Sequence, residues 1–286
     1  MAEPVASDIA EATRDEALAD LELTLLLEAV QRFSGHDFTG YAQVTLKRRI
    51  DERMRAEDVQ TISGLQDRLL HDRDALSRFV FAMSGGHGGL FADPAFFRVF
   101  RRRIVPLLKT YSFTRIWIPN CACGEDAYSI AALLKDEGLL DRAMIYATDA
   151  SDLALAAARN GVYEFEIGEH PGVAYASSAG GFPLADLCEI RERSVTFGED
   201  IKRHIIFAKH SLVTDGSLNE FHVIVARGVL RHFNRALQFR VHNLFLSSLI
   251  RLGFLCLGSN ESLRMTPHEA VFRRLAEEAS IYRRMR

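Results

Sequence analysis

Two acids, each set at the end of a short apolar run, are the residues of this chain best placed to do chemistry. In IWIPNCACGEDAYS, residues 116–129, the run enters a turn with a single glycine, Gly124, and Glu125 follows at once. In IYATDAS, residues 145–151, a second run ends in Asp149. A glycine at a helix entrance lets backbone approach a ligand, and the first helical N–H groups have no partner within the helix. Glu125 at that point suits a ligand ammonium, or simply the helix dipole. An acid closing the next strand commonly accepts hydrogen bonds from both hydroxyls of a ribose. For Asp149 the alternative is capping the helix that follows, a task open equally to Ser151. The layout is that of a nucleoside-cofactor site at the carboxyl ends of parallel strands. GxGxxG is absent, so the dinucleotide fingerprint is not met.

Four further positions end later strands: Ser211 and Leu212, then Gly228 and Val229. They lie where the base and the amino-acid end of such a ligand would rest. Polar loops at strand ends are also the default of the architecture. His232, in ARGVLRHF, is a weak candidate for a base, with an ordinary helix-surface histidine as the plainer reading. No HxxxH or HExxH grouping occurs, and Cys121, Cys123, Cys188 and Cys256 match no zinc spacing, so no metal site is expected. Arg48, Arg49 and Arg53 form a basic cluster on one helix. It reads as a solvated face or as a contact for an acidic partner.

The elements that must position these residues follow from periodicity. Residues 1–18 read as a flexible acidic tail. Leu23, Leu26, Leu27 and Val30, then Leu46, Ile50, Arg53 and Met54, fall on helical stripes, giving a helical domain over 19–83. The run SGGHGGLFADP, residues 84–94, reads as a glycine-rich linker. A helix is expected over 95–108. From 95 to 286 the chain then alternates, with strands at 115–119, 143–148, 205–208, 221–225 and 253–257 and helices at 125–137, 151–160 and 235–251. Turn-rich sequence at about 163–204 interrupts it and reads as an inserted β-subdomain. Strands alternating with helices mean a doubly wound parallel sheet, hence an α/β fold.

The 286 residues carry a formal net charge of -3, which argues against a nucleic-acid partner. No apolar run reaches the length of a membrane span, and the acidic start MAEPVASDIAEATRDE has no apolar signal-peptide core. Small buried thiols suit a reducing compartment, so a cytoplasmic protein is expected.

Seven segments, in order, carry a family resemblance. DFTGYAQVTLKRRIDERM resembles the first helical signature of CheR-type chemotaxis receptor methyltransferases. NCACGEDAYS resembles that family's GCSTGEEPYS, ATDAS its ATDID, and NGVYEF its AGVY segment. KHSL resembles HNL, ARGVLRHF resembles CRNVLIYF, and LGSNESL resembles GHSESL. The resemblance runs from about residue 20 to 284. It implies a small N-terminal helical domain followed by a class I S-adenosylmethionine-dependent methyltransferase domain with an inserted β-subdomain. The implied cofactor is S-adenosylmethionine or its product S-adenosylhomocysteine, held by Asn120, Gly124, Glu125, Asp149, Ser211, Leu212, Gly228 and Val229. The implied reaction methylates glutamate side chains of chemoreceptors, and the implied partner is an acidic or helical signalling protein of that kind.

The chain departs from the family at five positions, at three of which, by the resemblance, the family's side chains hydrogen-bond the cofactor or orient the substrate. Where the family carries an Asn-x-Thr-x-Phe-Phe-Arg-Asp-Pro motif, Gly88 stands at the threonine and Ala92 at the arginine. Gly228 stands at the asparagine of the later motif, His232 at its tyrosine, and Ser211 at the asparagine of HNL. Losing one group that positions the transition state commonly costs ~10²–10³ in rate. The expectation is a cofactor-binding protein with weak or absent methyl transfer that acts through protein contacts in chemotaxis-type signalling. The alternative is an active, divergent protein-glutamate O-methyltransferase.

Overall fold

The computed structural model describes residues 3–85, 88–166, 170–218 and 220–286. Two compact units divide the chain, Met1–Met83 and Ser84–Arg286.

The first unit is helical: α1 (Glu3–Ser34), α2 (Gln43–Ala56), α3 (Ile62–His71) and α4 (Arg73–Ser84), whose last residue belongs to the second unit. Leu26, Val30, Leu46, Ile50, Leu65, Leu69 and Phe79 build its core. Thr61 caps α3, its hydroxyl accepting from the Gly64 N–H at 3.0 Å. Two expectations are corrected here. The stretch 1–18 is helical from Glu3 onward; its glycine-free sequence suits a helix, and Pro4 sits in the first turn, where proline is tolerated. The three arginines do not form one exposed basic face. Arg49 is buried and donates to the Met83 carbonyl. Arg53 is largely covered and pairs with Glu57, while Arg48 is exposed and pairs with Glu52 at 2.6 Å. The reason is helical spacing: 49 and 53 follow Leu46 and Ile50 on the inward stripe, and only 48 points out.

The second unit begins with α5 (Pro94–Arg103) and α6 (Val105–Leu108). The single helix expected over 95–108 is broken because Pro106 has no N–H and its ring meets the carbonyl four residues back. Then come β1 (Thr114–Pro119), α7 (Glu125–Asp136), β2 (Ala143–Asp149) and α8 (Asp152–Asn160). The insert holds β3 (Val162–Glu164), α9 (Pro171–Ser177), β4 (Glu189–Arg191) and β5 (Ser194–Thr196), with β3, β5 and β4 forming a small antiparallel sheet. The chain returns through α10 (Glu199–Lys202), β6 (Ile205–Lys209), β7 (Phe221–Ala226), α11 (Arg235–Ser248), β8 (Leu249–Leu257), β9 (Phe272–Arg274) and β10 (Ile281–Arg284).

The main sheet runs β6-β2-β1-β7-β8-β10-β9. From β6 to β8 it is parallel; β10 and β9 add antiparallel, so the sheet is mixed rather than wholly parallel. Those last strands are short and arginine-rich, a composition that hides a strand from pattern reading. After β1 the chain builds outward to β2 and β6, then crosses to β7 and β8 on the other side. Adjacent parallel strands β1 and β7 thus feed loops in opposite directions, which opens a crevice at their carboxyl ends.

Candidate functional site

The turn leaving β1 holds an unusual backbone. Asn120, Ala122 and Gly124 all have positive φ, at 52°, 48° and 90°. Two of them are not glycine, a strained arrangement of the kind concentrated at ligand sites. Hydrogen bonds from outside the turn help to hold it in place. Asn120 Nδ2 donates to the Ser84 carbonyl at 2.7 Å, and the Ala122 N–H donates to Asp149 Oδ2 at 3.0 Å. At Gly124 the requirement for glycine is steric as well as conformational. A Cβ there would lie 3.0 Å from the Ala158 Cβ, 3.1 Å from the Tyr163 hydroxyl and 3.3 Å from the Phe207 ring. Tyr163, from the insert, donates its hydroxyl to the Cys123 carbonyl at 2.7 Å and so closes over the turn.

Glu125 opens α7. Among the described residues its Oε2 is buried and has no hydrogen-bond partner. Burial, with Asp126 and Asp149 adding like charge, holds its carboxyl above the usual range. A buried acceptor without a donor costs free energy, and a ligand ammonium would remove that cost. The same burial pushes the Cys123 thiol up to about 11, so it is a poor nucleophile.

Asp149 is fully buried at the end of β2. Its Oδ1 accepts from the Ser84 hydroxyl at 2.7 Å and the Ser151 N–H at 2.8 Å, and its Oδ2 from Ala122. Capping of α8 falls to Ser151, whose hydroxyl accepts from the Ala154 N–H at 3.2 Å. Of Asp149's three donors, only the Ser84 hydroxyl is on a side chain and can leave without breaking backbone structure.

Ser211 follows β6. Its hydroxyl accepts from the Val213 N–H at 3.2 Å and its own N–H donates to Asp215 Oδ2 at 2.9 Å, so its side chain shapes the loop. Leu212 and Val229 are buried. Across the crevice, Gly228 has φ 69°, and its N–H donates to Glu261 Oε2 at 2.9 Å. That oxygen also accepts from the Gly258 N–H at 2.8 Å, while Oε1 accepts from the Arg231 N–H at 3.1 Å. Beside this knot lies a cavity of about 170 Å³ lined in part by Asp93, Arg227, Gly228, Arg231 and Asn260. Arg227 is committed elsewhere. It pairs with Asp126 at 3.0 Å, donates to the Ala92 carbonyl, and stacks 4.5 Å from the Phe96 ring centre. His232 is half-buried in a tight 3₁₀ turn, Leu230–His232, not on a helix surface. Its Nε2 lies 3.4 Å from Arg231 Nε.

The residues expected to bind the cofactor therefore gather at the carboxyl ends of β1, β2, β6 and β7. Glu261 and Ser84 were not singled out by sequence reasoning. Glu261 was visible as the acid of GSNES; nothing local in Ser84 pointed to Asp149, 65 positions away. His87 lies outside the described residues.

Residues 87–279 match the model of the CheR methyltransferase S-adenosylmethionine-binding domain, and residues 21–84 that of the CheR methyltransferase all-alpha domain. The chain belongs to the CheR methyltransferase family. Among its CheR relatives, a protein that carries the name "Putative methyltransferase Cher3", from Pseudomonas putida, is 35% identical over 94% of this chain and 98% of its own. A chemotaxis protein methyltransferase from Listeria innocua is 26% identical over 86% of this chain and 92% of its own. Of solved structures, the N-methyltransferase NodS from Bradyrhizobium japonicum, determined with S-adenosyl-L-homocysteine, is 13% identical at a TM-score of 0.38, covering 66% of this chain and 87% of that one. A likeness that low bears on nothing further. The family match makes S-adenosylmethionine the cofactor class, and the open Glu125 oxygen and the tight Gly124 turn fit it. Among the described residues, no helix is long and apolar enough to cross a membrane, and no cluster of three or more metal-ligating side chains occurs.

Proposed function

We propose that this chain binds S-adenosylmethionine and S-adenosylhomocysteine above Gly124 and Asp149, and works in chemotaxis-type signalling through protein contacts, with methyl transfer to glutamate slow or absent. When bound, the cofactor supplies an electrophilic methyl group; the protein's task is to aim an acceptor carboxylate at it, since a carboxylate is already nucleophilic. One observation carries the reading. Ala92, at the family's arginine position, has no polar side chain, and its carbonyl is tied to Arg227. Gly88 and Gly228 likewise offer no side-chain donor. Nothing at these positions can clamp a carboxylate in line. The chemoreceptor partner comes from the relatives named chemotaxis protein methyltransferases. An acidic partner surface reached by three arginines finds no support, because only Arg48 is exposed.

The other reading is an active, divergent protein-glutamate O-methyltransferase. It draws on Arg231, a cation where the quoted family motif has isoleucine. The test is a labelled methyl-transfer assay on receptor fragments. The wild type runs beside a variant carrying Gly88→Thr, Ala92→Arg, Gly228→Asn, Arg231→Ile and His232→Tyr. Activity gained over an inert wild type supports the proposal. Robust wild-type turnover that disappears in His232→Ala overturns it and makes His232 catalytic.

A further inference from the structure

We infer that Arg231 forms a carboxylate-binding site in the small cavity at the carboxyl ends of β7 and β8, taking over a place where the quoted family pattern has isoleucine. This rests on the cofactor half of the function proposed above. Three observations lead there. First, Gly228 and Arg231 are complementary in space. A Cβ on Gly228 would sit 3.7 Å from Arg231 Nη2 and 3.8 Å from its Cζ and Nε. The room that the family's asparagine side chain would use is covered here by a guanidinium from three residues on. Second, the turn carrying Arg231 is pinned: its N–H is held by Glu261 Oε1 at 3.1 Å, and its Nε by His232 Nε2 at 3.4 Å. The pinning fixes the start of the side chain, so that less rotamer freedom is lost on binding.

Third, Arg231 is the cation of this cavity whose terminal donors are uncommitted among the described residues. The other lining cation, Arg227, is neutralised by Asp126 and covered by Phe96. Both Glu261 oxygens accept from backbone N–H groups. Asp93 spends Oδ1 on the Phe96 N–H at 3.3 Å, at the positive end of α5. A planar guanidinium with free N–H groups matches a carboxylate in two-point geometry. The volume, about 170 Å³, is room for several waters and so for a carboxylate-bearing group.

Two sources could present that carboxylate: the amino-acid end of the cofactor, or an acceptor glutamate. Calorimetry separates them with three probes on wild type, Arg231→Ala and Arg231→Lys. The probes are S-adenosylhomocysteine, 5′-methylthioadenosine (the same nucleoside thioether without the amino-acid end), and N-acetylglutamate methylamide added to the S-adenosylhomocysteine complex. Arg231→Ala is expected to weaken S-adenosylhomocysteine about 10–100-fold while leaving 5′-methylthioadenosine unchanged, with partial rescue by lysine. That result assigns the site to the cofactor's carboxylate. Loss confined to N-acetylglutamate methylamide assigns it to the acceptor. Unchanged binding of both acids, or equal loss of 5′-methylthioadenosine, overturns the inference alone. A wild type that binds neither nucleoside overturns the function reading and this inference with it. Thermal melts of each variant separate a binding loss from unfolding; should Arg231→Ala unfold, Arg231→Gln replaces it in the same comparison.

Discussion

The two halves of the crevice have been treated differently by this sequence. On the β1–β2 side the parts that would hold a nucleoside are locked together: Gly124 under Tyr163, Asp149 among three donors, Glu125 with one oxygen open. On the β7–β8 side the asparagine of the family pattern is gone, and a glycine with an arginine over it stands in its place. Geometry shared by many packed atoms resists change, whereas side chains at an open rim can be exchanged with little cost to the fold. On the function proposed above, cofactor binding and methyl transfer become separable properties of one cleft.

The sharpest way to break this comparison is to give each side the same methyl group. Gly124→Ala is expected to abolish measurable S-adenosylhomocysteine binding and to lower stability by about 2–4 kcal/mol, from left-handed strain plus three close contacts. Gly228→Ala, facing only a flexible arginine, should cost about 1 kcal/mol. Equal losses in urea titrations of the two variants would dissolve the distinction.

Next in size is Asp149→Ala. It removes the acceptor of two backbone N–H groups as well as the proposed ribose partner, so S-adenosylhomocysteine affinity should fall by about 1–3 kcal/mol and the melting temperature should fall too. Ser84→Ala should do the opposite at the same carboxylate. It frees Oδ1 for a ligand hydroxyl, and calorimetry should show affinity unchanged or raised. A large loss of affinity would mean that Ser84 itself holds the ligand.

A smaller effect is ionic. The folded-state pKa of Glu125 is raised, so its contribution to stability is fully present below the unfolded value and is lost as pH rises through the folded one. A ligand ammonium favours the ionised form. Binding of S-adenosylhomocysteine near pH 5 should therefore release up to one proton, read from calorimetry in buffers of different ionisation enthalpy. 5′-Methylthioadenosine, without the ammonium, should release none, and Glu125→Gln should abolish the release.

Much of this was legible in the sequence because it is written locally. Strand, turn and helix around Gly124 are neighbours in the chain, as are the strand end at Asp149 and the cap at Ser151. What escaped is what only tertiary structure brings together. Ser84 reaches Asp149 across 65 positions and Glu261 reaches Gly228 across 33. The arginine cluster misled for a different reason. Sequence proximity suggested one face, yet Arg49 continues the buried stripe of Leu46 and Ile50, and its charge ends on a backbone carbonyl. The antiparallel strands β9 and β10 were masked by their arginines.

The Glu261 carboxylate gathers the N–H groups of residues 228, 231 and 258 onto two oxygens. Three amides from two separate loops are thereby made into one cooperative unit, since freeing any of them strands a charged acceptor that the others share. In deuterated buffer they should exchange together, at the rate of the sheet that carries β7 and β8 rather than at the rates of surface loops. The rim that has changed most in chemistry would then be among the slowest parts of the molecule to open.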